Sequence, residues 1–355
     1  GLGDVYKRQE DVLNREIAVC GDDHLTNREL PYYYWQQYYT LMNNYGSYAS
    51  YFIDTSTPFD QQMCMFDDTR TWQQYFLQAA ITNYENVTAI WQEARLAGFQ
   101  LSQEDQDYLD ELDGQITVAA ASYSYGSADE YLQMAYGPAA TLTSYHAFVE
   151  RQITASAYLQ ALVDEKPYTE DDISKYYDDN ADSYAGNGIE KSDVKMVNVR
   201  HILIQPEGKN DDGTYTDEAW AEAEKKANDL LTEWQNGEHT EDSFAFMAAE
   251  NSQDPGSVEN GGLYEDIYPG KMVDEFDAWC FDPARQPGDT GIVKTSYGYH
   301  IMYFSSTGEH AYWYVRAEED YLNELSVSVL QEVAAKFEVT ESEQNAAIVD
   351  IMQQN

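Results

Sequence analysis

The sequence predicts an α+β protein in which one segment of mixed strands and helices lies between two mainly helical segments. Apolar residues recur at three-and-four spacing through most of residues 1–185 and again after residue 307, which is typical of amphipathic helices. Residues 197–204 and 295–304 are apolar runs of strand length, and they enclose two further helical patterns. A small sheet covered by helices is therefore expected in the middle of the chain.

The composition argues against several classes of partner. Lys and Arg total 20 against 64 Asp and Glu, so the formal net charge of the 355 residues is −44. Nucleic acids and anionic lipid surfaces attract basic proteins, so neither is expected as a main partner. Hydrophobic residues make up 43% of the chain, which suffices for the cores of about two domains. No apolar run reaches the roughly 18 residues of a spanning helix, so we expect no membrane-spanning segment in this chain.

Cysteine and histidine usage predicts neither a metal centre nor a disulfide framework. The three cysteines, Cys20, Cys64 and Cys280, are far apart and form no C-x-x-C pair. The six histidines include no H-E-x-x-H motif and no close pair. We therefore expect buried thiols, no metal and no cofactor. Because secreted proteins without disulfides look the same, the cysteines leave the cellular compartment open.

The N-terminal segment, residues 1–185, is predicted to be almost wholly helical. Residues 1–9 have the character of a fragment end rather than a folded element, and residues 17–20 of a short strand. Thr26 and Glu29 have the spacing of a capping box, which predicts a helix start at Thr26. Further helices are predicted from Pro58 to Gly98 and from Ser102, Ser127, Ala139 and Thr169 onward.

The remaining segments follow from where the apolar periodicity stops and resumes. Residues 186–194 are the predicted linker, because glycines and polar residues replace the periodic pattern there. The mixed segment is residues 195–306. Residues 307–355 are again helical, with a last helix predicted from the capping spacing of Thr340 and Glu343. Since both helical segments carry wide apolar faces, we expect the tail to pack on the N-terminal segment across the inserted middle.

Five separated motifs occur within residues 195–306. They are Arg200-His-Ile-Leu203, Asn251-Ser-Gln-Asp-Pro-Gly-Ser257, Gly261-Gly262-Leu263, Met272 with Phe276, and Gly298-Tyr-His-Ile301. Their types and order resemble the parvulin-type peptidyl-prolyl isomerases. Each motif alone carries little weight, whereas five in family order are specific. The resemblance covers about a third of the chain and implies a four-stranded antiparallel sheet with helices around it.

The resemblance also implies three catalytic residues. His201 and His300 lie on strands that the family places side by side, where each sets the tautomer of the other. Asp254 is expected to act electrostatically near the reacting carbonyl, and Pro255 biases its backbone toward an extended conformation. Taken singly, each histidine is compatible with a buried structural role and Asp254 with a simple Asx turn.

Four substrate-binding residues are implied in the same way. Leu263, Met272 and Phe276 match the apolar pocket for the prolyl ring, with plain core packing as the alternative. Tyr297 stands where some members have Ser, beside the substrate. Many members read G-G-D-L-G, whereas residues 261–264 here read Gly-Gly-Leu-Tyr, so an acid is absent and the alignment of this rim is uncertain by one residue.

The predicted function is peptidyl-prolyl cis-trans isomerisation of unfolded secreted proteins, combined with holding of those chains by the helical arms. The layout of arms around one parvulin domain resembles bacterial extracytoplasmic foldases, which implies a location outside the cytoplasm and an anchor or signal upstream of this chain. The partners are then proline-containing unfolded polypeptides, and the oligomeric state stays open. The alternative is a holding chaperone whose isomerase domain has lost catalysis. A third, weaker hypothesis reads the 31 tyrosines as an adhesin surface, although helix-face core explains most of them.

Overall fold

The computed structural model describes residues 1–354, which form both helices and strands, numbered here in chain order. The helices are α1 Leu2–Leu13, α2 Leu30–Tyr45, α3 Trp72–Leu96, α4 Gln103–Ser122, α5 Ala128–Tyr136, α6 Leu142–Asp164, α7 Glu170–Asp179, α8 Ala181–Gly186, α9 Asp217–Asn236, α10 Glu241–Asn251, α11 Asp274–Cys280 and α12 Tyr312–Ala334. The strands are β1 Glu16–Cys20, β2 Asp23–Thr26, β3 Met63–Cys64, β4 Asp67–Thr71, β5 Lys195–Ile204, β6 Leu263–Ile267, β7 Thr290–Thr295, β8 Gly298–Ala311 and β9 Val339–Glu341. The α+β class is confirmed.

The chain divides into two units that differ in extent from the predicted segments. Unit 1 comprises residues 1–167 together with 322–355, and unit 2 comprises residues 168–321. Unit 2 therefore extends past the expected boundaries at residues 185 and 306 on both sides, because α7, α8 and the first part of α12 share a core. The stretch predicted as a linker belongs to that core: Ile189 is buried, and its carbonyl accepts a hydrogen bond of 2.7 Å from the Tyr177 hydroxyl.

Helix starts in unit 1 follow the sequence where a side chain caps them locally. Ser102 accepts from the backbone N–H of Asp105 at 3.2 Å, and Ser127 accepts from that of Glu130 at 3.1 Å. These contacts satisfy backbone donors that the first helical turn leaves unpaired. The predicted starts of α4 and α5 are therefore confirmed.

Other predictions for the N-terminal half are wrong. Residues 2–9 lie in α1, a helix without buried residues. Thr26 ends β2, and its hydroxyl donates to Glu29 Oε2 at 2.7 Å, so the pair closes a turn before α2 begins at Leu30. The helix expected from Pro58 starts only at Trp72, because β3 and β4 form a hairpin first and Thr71 caps α3. Local spacing marks these turns, but strand pairing decides what they connect.

The C-terminal part of unit 1 is also less helical than predicted. Thr340 lies in β9, which pairs antiparallel with β1, and residues 343–345 form a short 3₁₀ turn instead of a last helix. Val333 and Ile351 are buried in the unit 1 core, which is dominated by aromatic side chains of α2 and α3. The two ends of the chain thus contribute to one sheet and one core.

Unit 2 contains the predicted four-stranded antiparallel sheet, with the strand order β6-β5-β8-β7. Helices α9 and α10 cover one face, where Ile202, Ile204 and Ile301 are buried. Helix α11 covers the other, with Val199 and Met302 buried against it. The two central strands, β5 and β8, therefore carry side chains into two separate cores.

Candidate active site

Strand register brings His201 and His300 together. His201 lies opposite Met302 and His300 lies opposite Leu203 on the paired strands β5 and β8. Side chains two residues apart on a strand share a face, so both imidazoles lie on the α11 face of the sheet. The rings stack with centroids 5.2 Å apart, and the two Nδ1 atoms are 3.0 Å apart. Both side chains are buried, with exposures of 3% and 5%.

A hydrogen-bonded chain runs through the two rings. His201 Nε2 lies 2.8 Å from Asp254 Oδ2. At the other end, His300 Nε2 lies 2.7 Å from Thr295 Oγ1, which accepts the backbone N–H of Tyr297 at 3.1 Å. An ionised Asp254 requires the proton of a neutral His201 on Nε2, so His300 Nδ1–H must donate to His201 Nδ1 and Thr295 must donate to His300 Nε2. With neutral rings, this direction satisfies every atom.

Asp254 is held by the loop that follows α10. The Ser252 hydroxyl oxygen accepts the backbone N–H groups of Leu203 and Asp254 at 3.1 and 3.3 Å. The backbone N–H of Gln253 donates to the Leu203 carbonyl at 2.9 Å. These bonds attach the loop to the end of β5, beside His201. The carboxylate is thereby placed by backbone contacts rather than by a flexible side chain alone.

Four donors converge on the Asp254 carboxylate. His201, Tyr264 at 2.6 Å and Ser257 at 2.7 Å donate to Oδ2, and the backbone N–H of Gly256 donates to Oδ1 at 3.1 Å. Hydrogen bonds to the charged form favour it. The bond from His201, supported by those from Tyr264 and Ser257, therefore holds the pKa of Asp254 well below its ordinary range despite burial.

Burial favours the neutral form of two other side chains in this cluster, His300 and Tyr264. It lowers the pKa of His300 to about 4, to which the neighbouring His201 also contributes, so His300 is neutral at physiological pH. Burial, together with the hydrogen bond to Asp254, raises the pKa of Tyr264 to about 12. The cluster thus combines one fixed negative charge with a neutral imidazole and a neutral phenol.

Two of the predicted pocket residues lie on this face. Phe276 is buried and packs edge-on against both histidine rings, with centroids 5.4 and 5.5 Å apart. Met272 is half-buried in the same cluster. Leu263 pairs with Arg200, and directly paired residues share a face, so Leu263 lies on the opposite side of the sheet from His201.

Tyr264 lies on the face of the sheet where Leu263 was expected. It pairs with Val199 on the α11 face, and its ring centroid lies 5.3 Å from that of His201. Strand register therefore places Tyr264, and not Leu263, on the face of His201, because a one-residue shift moves a side chain to the other face. The Tyr264 hydroxyl donates to Asp254, so Tyr264 is a member of the polar cluster.

The glycine pair before β6 allows the strands to approach closely. Gly261 and Gly262 have φ of +64° and +76°, and a Cβ on Gly262 would collide with the His201 carbonyl oxygen. The Gly262 carbonyl accepts the backbone N–H of His201 at 2.9 Å. On the other face, the Arg200 guanidinium donates to the Gly261 carbonyl at 3.1 Å and pairs with Glu241 at 3.0 Å. These hydrogen bonds therefore hold the glycine pair in a fixed position against β5.

Tyr297 and three unpredicted residues complete the description of the site. Tyr297 lies in the turn between β7 and β8 with 56% of its surface exposed, and its backbone is what joins the hydrogen-bonded chain. Sequence reasoning missed Tyr264, Ser257 and Thr295. Ser257 ends the motif Asn251–Ser257 and Thr295 begins the apolar run 295–304, so a search for hydroxyls near the predicted Asp and His would have found both.

Residues 1–354 show neither a metal-binding cluster nor a membrane-spanning helix. This part of the chain contains no group of three His, Cys, Asp or Glu side chains arranged to hold a metal ion. It also contains no helix that combines the length and the apolar character needed to cross a membrane.

Comparison with known families identifies the class of this domain. Residues 187–306 match the family described as the PPIC-type PPIase domain. The five ordered motifs, the Asp-His-His cluster and the antiparallel sheet up to residue 306 of β8 fall within this match. Residues 187–306, about a third of the chain, therefore form a domain of the parvulin-type peptidyl-prolyl isomerase family.

Particular relatives are foldases and chaperones. The chain is 31% identical over 106 residues to foldase protein PrsA 1 of Listeria innocua serovar 6a, covering 30% of this chain and 29% of that protein. It is 35% identical over 107 residues to chaperone SurA of Pseudomonas savastanoi pv. phaseolicola, covering 30% and 22%. The chain thus matches less than a third of the length of either relative. The crystal structure of PrsA from Bacillus subtilis aligns with a TM-score of 0.33 and 18% identity over 79% of this chain and 92% of that one.

Proposed function

We propose that this protein catalyses cis-trans isomerisation of X–Pro bonds in unfolded polypeptides outside the cytoplasm. The observation that carries the proposal is the buried chain Asp254–His201–His300–Thr295 beside Phe276, inside a PPIC-type domain. A polar chain with fixed proton positions next to an apolar side chain is the combination that this reaction needs.

The chemistry explains this requirement. Amide resonance gives rotation about the C–N bond a barrier of roughly 18–20 kcal/mol. At the transition state the amide is twisted, so charge on its oxygen and nitrogen changes without any bond to the enzyme. A site that binds the twisted form better than the planar forms lowers the barrier. Groups held in place before the substrate arrives do this most effectively, because they need no reorganisation.

The residues divide this task between them. Phe276 and Met272 provide the apolar surface for the prolyl ring, and Tyr264 adds a ring that carries a fixed hydroxyl. Asp254 supplies a permanent negative charge at the end of the chain, and the hydrogen-bonded rings of His201 and His300 transmit its orientation. In a water-poor environment, such fixed dipoles are worth more than in water.

The helical unit is proposed to hold client chains while the domain acts. The names foldase and chaperone borne by the relatives support this role, as they support a location outside the cytoplasm. The clients are then unfolded secreted proteins that contain proline.

A direct experiment separates this function from that of a holding chaperone without catalysis. Exchange NMR on an Ala-Pro peptide is expected to show faster cis-trans exchange when the full chain is added. A second assay follows aggregation of a chemically unfolded client. Suppressed aggregation with unchanged exchange would establish the holding chaperone and refute the isomerase.

A further inference from the structure

Exposed apolar side chains are concentrated in one part of unit 1. Apart from residue 355, large hydrophobic side chains are exposed at 21 positions, and six of these fall between residues 45 and 66. Scattered exposed apolar residues are normal, but such a cluster marks an interaction surface. We call it the aromatic-methionine patch; its members are Tyr45, Tyr48, Tyr51, Met63, Met65 and Phe66.

Ring contacts connect the aromatic members of this patch in two groups. Phe52 packs against Tyr45 with centroids 4.7 Å apart and against Phe66 with centroids 5.5 Å apart. Tyr48 and Tyr51 stack with centroids 6.2 Å apart, and they lie 69% and 79% exposed on the short 3₁₀ helix that ends beside Phe52. The patch therefore joins the C-terminal end of α2 to the β3–β4 hairpin.

The patch is anchored to the core rather than carried on a loose loop. Ala49, Ile53 and Cys64 alternate with its members along the chain and are almost fully buried. Phe66 packs edge-on against Trp72, which is itself completely buried, with centroids 5.4 Å apart. The exposed rings are consequently presented in fixed positions, which lowers the entropic cost of binding.

The charge around the patch identifies its partner. Residues 45–70 contain four acidic side chains, Asp54, Asp60, Asp67 and Asp68, against one basic side chain, Arg70, which pairs with Asp67 at 2.7 Å. A second copy would bring the same acids into opposition on a chain with a net charge of −44, so self-association is disfavoured. An anionic lipid surface is disfavoured for the same reason. A cationic partner with apolar side chains satisfies both features of the surface.

We propose that the aromatic-methionine patch binds extended polypeptide segments in which Lys or Arg flanks apolar side chains. Methionine and tyrosine suit such varied sequences, because Met adapts its shape and Tyr offers a broad amphipathic ring. The proposal rests on the holding role proposed above and is independent of the isomerase activity. The proposal assigns the holding role to the aromatic-methionine patch and gives this patch a preference for positively charged segments.

The test uses the full chain and a pair of matched variants. The first combines Tyr48→Ser, Tyr51→Ser and Met65→Ser. The control combines Tyr108→Ser, Tyr123→Ser and Met134→Ser, which removes two exposed tyrosines and one exposed methionine elsewhere in unit 1. Circular dichroism and thermal unfolding establish that both variants remain folded.

The probe is a fluorescein-labelled, unstructured, proline-free peptide of about 20 residues containing Lys, Phe, Leu, Gly and Ser, compared with a version in which Glu replaces every Lys. Anisotropy titration is expected to show binding of the Lys peptide that weakens with salt. The patch variant should bind it at least about tenfold more weakly, and the control variant within about twofold of wild type. The Glu peptide should also bind at least about tenfold more weakly.

Several results would overturn the proposal. Equal binding of both peptides removes the charge preference, and equal loss in the two triple variants removes the patch. A dimer in analytical ultracentrifugation that only the patch variant abolishes would assign the surface to a second copy. If the wild-type chain binds neither peptide, the holding role falls with the patch. If it binds the Lys peptide and the patch variant binds it equally well, only the patch is wrong. Exchange NMR on the Ala-Pro peptide, unchanged in the patch variant, keeps the isomerase proposal separate from all of these outcomes.

Discussion

Replacing Asp254 by Asn tests the core of the proposed mechanism with almost no change of shape. The side chain is 17% exposed and receives hydrogen bonds from His201, Tyr264 and Ser257 on one oxygen and from Gly256 on the other. An amide has a single acceptor oxygen and an NH₂ group. Whichever way it is turned, at least one of these donors faces another donor.

The expected magnitude follows from this count. Hydrogen bonds to a charged group contribute about 1.5–3 kcal/mol, and neutral ones about 0.5–1.5 kcal/mol. If the amide oxygen takes the Oδ2 position, His201, Tyr264 and Ser257 keep an acceptor but lose its charge, and Gly256 loses its partner. Because such losses do not add, we expect a loss of about 1.5–3 kcal/mol of transition-state stabilisation, so kcat/KM should fall by roughly 10–150-fold.

Two further variants grade the effect. Tyr264→Phe removes one donor and keeps the ring, so a fall of about 3–10-fold is expected, which corresponds to about one hydrogen bond. Asp282→Asn is the control, because that side chain is 47% exposed and contacts Arg285 at 3.6 Å, so its rate should stay within about twofold of wild type. Exchange NMR on the Ala-Pro peptide measures all three rates, with thermal unfolding to verify folding. A folded Asp254→Asn protein within twofold of wild type would refute the role of the carboxylate.

The loop between β5 and α9 carries Lys209 as its basic residue against three acids, so we expect no preference for phosphoserine before proline; a phosphopeptide turned over faster than its Glu and unmodified counterparts would contradict this. Burial, and after it the neighbouring Glu341, raises the pKa of Glu85 to about 8. The protonated Glu85 side chain therefore stabilises the fold fully below about pH 4.5, and this contribution to the free energy of unfolding is lost as the pH rises toward 8. The difference in the free energy of unfolding between wild type and Glu85→Gln, measured with urea, should change by about 1–2 kcal/mol between these pH values, after a discount for the partial exposure of the side chain. A constant difference would show that Glu85 titrates normally. Residues 1–167 expressed alone should be poorly soluble and be rescued by residues 322–355 added in trans, because β9 completes the sheet of β1; equal unfolding midpoints with and without the tail would show that the ends are independent.

The sequence alone determined the features that depend on neighbouring residues or on period. Ser102 and Ser127 cap helices as predicted, because a capping hydroxyl needs only the backbone N–H three residues ahead. His201 and His300 could be placed on adjacent strands because the motifs around them recur in family order. The same local reasoning failed at Thr26 and Thr340, where a capping spacing lies at strand ends.

The tertiary structure decided what depends on distant parts of the chain. Thr340 became a strand residue because β9 pairs with β1, more than 300 residues away along the chain, which no local pattern reveals. The choice between Leu263 and Tyr264 was made by the register of β6 on β5, since adjacent residues on a strand point to opposite faces. The hydrogen bond from the Tyr264 hydroxyl to Asp254 exists only in the folded chain. Through this bond Tyr264, which lies where the sequence departs from the family motif, becomes a member of the candidate site.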